Sequence, residues 1–493
     1  MRRLSLRTLD ALPSSVARPR FDPASLGIGI VHLGIGAFHR AHMAHYTQDA
    51  LALAPGAWGI CGVSLRSPDI RDRLAPQDGL YTLVERGRDG EHLTLVGTVR
   101  EVLFAPENPA RVVARIADPA TRIVSMTVTE KGYCHDPATG KLRENDPGIV
   151  YDLAHPAAPK TAIGMLVRGL AARCRDDAGP VTVLCCDNLP HNGRTLQGVV
   201  RRFAECLDPD LVDWIDAQAS FPCTMVDRIV PATTDQDRAA VATQLGLEDA
   251  SPVISEPFRQ WVIEDRFPAG RPVWEKVGVE FVADVAPYED MKLRLLNGSH
   301  SAMAYLGYLA GYEFIYQVIA DPAFRRFVER LMSEAATTLA LPAGVDVGHY
   351  RRDLLERFAN PALGHRCYQI AMDGSQKLPQ RLLGTIRDRL KSGAAIDALS
   401  LAVAAWIRYV RGVDEKGAPY HVQDPLAARL AAVASGNTEE VIDRILGVTE
   451  IFGEDLPKST AFRANLAGWL QRLDGAGARR TVEFASASIT ERT

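Results

Sequence analysis

Ile28-Gly29-Ile30-Val31-His32-Leu33-Gly34-Ile35-Gly36-Ala37-Phe38-His39-Arg40 is the stretch that decides the fold. An apolar run of strand length, Ile28–Leu33, leads into two glycines separated by one residue, and a helical stretch follows. Strand, tight turn and helix in that order open a βαβ unit. Gly34 and Gly36 fit the first two glycines of GxGxxG, which permit a tight turn and close approach of the backbone to a pyrophosphate. His39 stands where the third glycine belongs, so the fingerprint is incomplete, and a tight turn without a ligand fits the same residues. The cofactor-binding candidates in this stretch are Gly34, Gly36, Phe38 and Arg40.

Working outward, Gly59–Leu65, Ile123–Val128 and Val181–Cys186 are further continuous apolar runs, the pattern of a parallel sheet covered on both faces. Tyr46–Leu53 and Thr161–Cys174 read as helices between them. After about residue 290 the strand signal fades and Ala-, Leu- and Arg-rich helical stretches take over. The expected class is α/β: a Rossmann-type, mostly parallel sheet domain over 1–285, then an all-helical domain over 286–493. The acidic residue for a ribose follows the second strand in such folds. Asp69 is the candidate, favouring NAD, whereas Arg66 would suit a 2′-phosphate.

The chain has 493 residues, 47% hydrophobic and 24% charged, ordinary for a globular protein of two or three domains. A net charge of -4 gives no basic footprint for nucleic acid or an anionic membrane. Eight scattered cysteines without a CxxC suggest reduced thiols, a cytoplasmic setting and no zinc site. The Arg-rich N-terminus lacks an apolar core for a signal peptide, and Ala302–Ala320 is too polar for a membrane span. Nothing signals assembly, so a monomer is the default expectation and an oligomer stays open.

The second chemical feature is Pro287-Tyr288-Glu289-Asp290-Met291-Lys292-Leu293-Arg294-Leu295-Leu296-Asn297-Gly298-Ser299-His300. An apolar setting lowers a lysine pKa, so that the amine can take a proton from an alcohol near neutral pH. An asparagine amide can then donate to the alkoxide, and a histidine can hold the oxygen or tune the lysine. Those are the parts needed to oxidise a secondary alcohol without a metal. On an α-helix Lys292, His300 and Asn297 fall near roughly 0°, 80° and 140°, on one side. Lys292 and His300 are still about 12 Å apart along the axis, so Lys292 is expected where the helix begins. A buried helix with one snorkelling lysine and one satisfied histidine is the plain alternative.

Ligands of open α/β sheets sit at the carboxyl ends of strands. Two such ends carry candidates here: Cys186-Asp187-Asn188-Leu189-Pro190-His191-Asn192-Gly193, where Asn188 can supply a second amide, and Thr129-Glu130-Lys131-Gly132-Tyr133. Local turn chemistry accounts for such Asx-rich segments equally well. Asp227-Arg228, after another apolar run, reads as a substrate-side charge or as a surface ion pair.

Taken together, the chain resembles the polyol-specific long-chain dehydrogenase/reductase (mannitol dehydrogenase) family. The resemblance rests on GIGAFHRAH at 34–42, TEKGY at 129–133, CDNLPHNG at 186–193, FPCTMVDRIVP at 221–231, EPFRQWVIED at 256–265, GRPVWEKVG at 270–278 and PYEDMKLRLLNGSH at 287–300. It implies an NAD-dependent, metal-independent oxidoreductase with its site between a Rossmann-type and a helical domain. It implies Lys292 as general base, Asn188 and Asn297 as the oxyanion site, His300 beside them, Asp227 near substrate, and Glu130 and Glu289 in proton exchange with solvent. The stretch His365–Arg381 and GVDEKG at 412–417 resemble the fructuronate reductase branch, with Gln369 where mannitol dehydrogenases tend to carry arginine. The expected reaction therefore moves hydride between D-mannonate and D-fructuronate, with a mannitol 2-dehydrogenase or related hexitol or pentitol dehydrogenase as the alternative. A sugar acid needs a cation for its carboxylate, and Arg366 and Lys377 are the candidates.

Overall fold

Val31 and Leu33 point to one face of their strand and Ile30 to the other, and all three are buried. The same alternation places Cys61 and Val63 opposite Ile60, and Val124 and Met126 opposite Ile123. A strand with two apolar faces must be covered on both, which is what these runs dictate. The computed structural model describes residues 1–136, 139–342 and 344–487. Two compact units divide the chain, Met1–Ala286 and Pro287–Thr493.

The N-terminal unit is a Rossmann-like domain. Its strands are β1 (Ile28–Leu33), β2 (Gly59–Ser64), β3 (Tyr81–Gly87), β4 (Gly90–Val96), β5 (Val99–Phe104), β6 (Ile123–Met126), β7 (Val181–Cys185), β8 (Ala219–Ser220), β9 (Thr224–Asp227), β10 (Val253–Ser255), β11 (Gln260–Glu264) and β12 (Glu280–Val282). The main sheet has the order β5-β2-β1-β6-β7-β8, with every pairing parallel. The chain leaves β1 for β2 on one side and returns to β6 on the other, so the switch point lies at the carboxyl ends of β1 and β6. Two three-stranded sheets, β10-β3-β4 and β12-β11-β9, complete the unit. The four expected strands are present, each ending no more than two residues early; the runs at 59–65, 123–128 and 181–186 stop where polar turns take over.

The C-terminal unit is helical. Its most buried helices are Gly298–Leu309 and Asp397–Tyr409, packed with the long Thr460–Ala487 helix, which kinks at Gly477. Two segments, Lys292–Asn297 and Pro379–Leu383, are π-helical and pack on one another. No helix among the described residues is long and apolar enough to cross a membrane.

Candidate active site

At the end of β1 the backbone itself is shaped for close approach. Gly34 has φ +99°, and a Cβ there would lie 2.1 Å from the Thr127 carbonyl oxygen, so no other residue fits. Its N–H donates to the Val63 carbonyl at 2.8 Å, tying the turn to β2. Gly36 is exposed, with nothing nearer than 3.8 Å to where a side chain would begin. Phe38 is half-buried and stacks on His42 at 5.0 Å. Asp69 is exposed in the first turn of Asp69–Leu74, just beyond β2, its N–H donating to Ser67 Oγ at 3.2 Å.

His39, in the third-glycine position, is buried and stacks on His32 at 3.4 Å, with the planes 13° apart. His32 is held by Ser125 Oγ at 2.8 Å and Thr127 Oγ1 at 2.9 Å. Burial pushes His32 down to about 3 and His39 well below the usual histidine range, so both stay neutral. Helix–strand packing that a glycine would serve is served here by a ring stack.

Arg40 departs from its expected place beside a cofactor. Its guanidinium is buried and donates to the Ser251 carbonyl at 2.6 Å, which makes it an anchor between segments of the unit. Asp227 and Arg228 are not a surface ion pair either. Both are buried at the end of β9, and the ion-pair partner of Arg228 is Glu85, with the Glu256 carbonyl also accepting from it at 2.8 Å.

At the ends of β6 and β7, Asp187 ties two loops together. Its Oδ2 accepts from the Val128 N–H at 2.7 Å, the Thr129 N–H at 3.2 Å and the Tyr133 hydroxyl at 2.8 Å. Burial pushes its carboxyl up to about 6 against the pull of that hydroxyl. Glu130 and Asn188, the two expected site residues beside this junction, are both exposed.

In the C-terminal unit the Lys292 segment forms differently from the expected α-helix. The helix already begins at Ala286, and Lys292 opens a π turn inside it, not the helix itself. The Gly298 N–H donates back to the Leu293 carbonyl, a five-residue step that widens the turn. Gly298 makes room for the second π segment, because a Cβ there would lie 2.9 Å from the Arg381 carbonyl oxygen. Lys292, Asn297 and His300 all end up 6–7% exposed. Asn297 Nδ2 and His300 Nε2 are buried and reach no hydrogen-bond partner among the described residues. Glu289, one turn before Lys292, is half-buried.

His300 stands among cations. Burial, then the neighbouring His365 and the charges of Arg381, Arg357 and Lys377, hold it well below the usual histidine range. The His365 ring meets it edge-on at 4.8 Å, and burial with the Lys377 charge lowers His365 to about 4. Arg381 donates to Ser301 Oγ, beside His300, at 3.0 Å. Lys377 is half-buried and donates to the Met372 carbonyl at 2.5 Å. Arg366, the other expected carboxylate partner, is instead exposed and paired with Glu313. Sequence reasoning missed His365, Arg357, Arg381 and Asp187. Asp187 was within reach, as the acidic residue directly before Asn188 in a strand-end turn. Among the described residues no group of three or more His, Cys, Asp or Glu could hold a metal ion.

Two family domains match the chain in succession: the mannitol dehydrogenase Rossmann domain over residues 28–276 and the mannitol dehydrogenase C-terminal domain over 284–474. A D-mannonate oxidoreductase of Escherichia coli (strain K12) is 47% identical over 95% of this chain and 97% of that protein. A mannitol 2-dehydrogenase of Phaeosphaeria nodorum is 41% identical over 97% of this chain and 85% of that protein. The solved ternary complex of Pseudomonas fluorescens mannitol 2-dehydrogenase with NAD and D-mannitol is 39% identical, covers 100% of both chains and superposes with a TM-score of 0.91. A Rossmann-like sheet followed by a helical unit, matched along nearly its whole length at these identities, means that the chain belongs to the mannitol dehydrogenase family of oxidoreductases.

Proposed function

We propose that the protein oxidises a secondary alcohol of a sugar acid with NAD, moving hydride between D-mannonate and D-fructuronate without a metal. The observation that carries this reading is the burial of Lys292, Asn297 and His300 in one π-to-α stretch, with Asn297 Nδ2 and His300 Nε2 lacking protein partners among the described residues. Two buried polar atoms without a protein partner among the described residues, in the same stretch as a buried lysine, are available to bond a substrate oxygen.

Burial disfavours an ammonium, which fits Lys292 to take the hydroxyl proton. The amides of Asn188 and Asn297 donate to the oxygen as its charge develops. His300, held neutral, keeps one ring nitrogen to donate and one to accept, and holds that oxygen in place. Asp227 adds a carboxylate on the substrate side, and Glu130 and Glu289 exchange the proton with solvent. The open backbone at Gly36 fits a pyrophosphate, with Gly34 and Phe38 shaping its turn and Asp69 taking the ribose hydroxyls. Arg40 is left out of the cofactor contacts because its guanidinium is committed to Ser251. NAD when bound supplies the hydride acceptor.

The substrate carboxylate is assigned to Lys377, whose charge acts on both His300 and His365. The relative named D-mannonate oxidoreductase, at 47% identity, supports the sugar acid. A polyol substrate is the second reading, favoured by the pairing of Arg366 with Glu313, which removes one of two expected carboxylate partners. Following NADH formation with D-mannonate and D-mannitol side by side decides between them. A higher kcat/KM for D-mannitol would overturn the sugar-acid assignment.

A further inference from the structure

Thr129 has φ 64° and ψ 162°, a backbone region essentially reserved for glycine, although its side chain is β-branched. Such a residue stays there only when its surroundings over-determine it. Apart from the Gly132 N–H, which donates to the Thr129 carbonyl at 2.9 Å, the hold on the turn is one side-chain oxygen. Asp187 Oδ2 accepts from Val128 N–H, Thr129 N–H and the Tyr133 hydroxyl, so both ends of the turn hang on it. Three donors on one oxygen call for a carboxylate; an asparagine amide oxygen is the weaker acceptor. Asp187 is itself fixed from behind: its carbonyl accepts from Asn192 Nδ2 at 3.1 Å, and Asn192 is locked to Thr224 by bonds of 2.8 and 2.9 Å. The residue after strained Thr129 is Glu130, and the residue after Asp187 is Asn188.

We propose that Asp187 is a positioning residue, whose Oδ2 holds the Thr129–Tyr133 turn in its strained form and thereby sets Glu130 and Asn188 in their working arrangement. This rests on the roles given above to Glu130 in proton exchange and to Asn188 at the substrate oxygen. Asp187 contacts neither substrate nor cofactor in this scheme; it acts through its two neighbours. The titratable groups that face it are Tyr133, Glu130, Cys185 and Cys186. Burial keeps the tyrosine and both thiols in their neutral forms, so the hydroxyl remains a donor.

The test is a mutant cycle in the full-length protein. Asp187→Asn is expected to lower kcat by about tenfold to hundredfold, the scale of a small misplacement of reacting groups, with KM for NAD changed less than about twofold. Added to the double variant Glu130→Gln/Asn188→Ala, the same change is expected to cost no more than about twofold, because the groups it positions are already gone. A merely structural role would multiply through unchanged, and full multiplication overturns the proposal. So does a folded Asp187→Asn protein with kcat within about twofold of wild type. If Asp187→Asn does not fold, Tyr133→Phe removes one of the three donors and is judged by the same non-additivity. If Glu130→Gln and Asn188→Ala each leave kcat at the wild-type value, the assigned site roles fall and this proposal with them. If they lower kcat while Asp187→Asn does not, only this proposal falls.

Discussion

The Gly34–Gly36 turn and the Lys292–Asn297 π segment, the two regions proposed to meet cofactor and substrate, are shaped in opposite ways. In the turn the backbone does the work, and the side chain must be absent. The Thr127 carbonyl, 2.1 Å from any Cβ at position 34, enforces glycine. In the π segment the side chains of Lys292 and Asn297 are buried, and the backbone widens to carry them, through the Gly298-to-Leu293 bond. A site made of backbone restricts which residues can occupy it, whereas a site made of side chains restricts how the backbone must pack. Substitutions should therefore divide the two regions cleanly.

The largest effect belongs to the π segment. Lys292→Ala is expected to cut kcat by about 10²–10⁴-fold, the usual cost of losing a general base, with NAD affinity near normal. Steady-state kinetics with an NAD titration checks it; a variant keeping more than half the rate would make the segment a packing device only. Next come Asn297→Ala and Asn188→Ala, each expected to lose about 2.7–4 kcal/mol of transition-state stabilisation, seen in kcat. If KM rises and kcat holds, the amides bind substrate uniformly and the contrast with the turn weakens.

Within the helical unit, Lys377→Ala is expected to lower kcat/KM for D-mannonate by about tenfold to hundredfold while sparing residual mannitol oxidation. Arg366→Ala should change it less than about fivefold, because an exposed pair such as Arg366–Glu313 contributes about 0–1 kcal/mol. Comparison at fixed ionic strength separates contact from steering. Equal effects of the two variants would return Arg366 to the site.

Acid should destabilise the sheet unit through its buried histidines. His32 and His42 are both held down at about 3 by burial, whereas an unfolded histidine titrates near 6.5. Between those values the unfolded chain binds more protons, so stability is present above pH 6.5 and is lost as pH falls toward 3. Each histidine contributes a slope of about 1.4 kcal/mol per pH unit in that window. Denaturant midpoints across pH 4–7 measure it, and His32→Gln should remove one histidine's share; an unchanged slope would mean that His32 is charged in the native state. The smallest effect is expected at Asp69, exposed beyond β2. Asp69→Ala should weaken NAD binding a few-fold and narrow the preference over NADP, because a carboxylate suits a ribose 2′-hydroxyl and repels a 2′-phosphate. Unchanged affinities would put the discriminating residue elsewhere in the turn.

Much of the sheet was legible because fully buried parallel strands must be continuous apolar runs, as at Ile28–Leu33, observed over the expected residues. The short strands β9 to β12 were not, since three to five residues carry little periodicity. At the site, residue types were legible and partners were not. Arg366 and Arg40 each looked like a free cation for a ligand, and the fold spends them on Glu313 and Ser251. Arg228 stands next to Asp227 in sequence and pairs with Glu85.

What the sequence determined by itself was four core strands of the main sheet, the passage from strands to helices, the glycine turn and the family to which its motifs point, because each depends on local pattern: an apolar period, a residue without a Cβ, a fixed spacing. Only the tertiary structure decided the π turn at Lys292, the His32–His39 stack, the cations around His300 and the hold of Asp187 on Thr129. Those depend on groups far apart in the chain, whose burial and hydrogen-bond partners exist only once packing has brought them together.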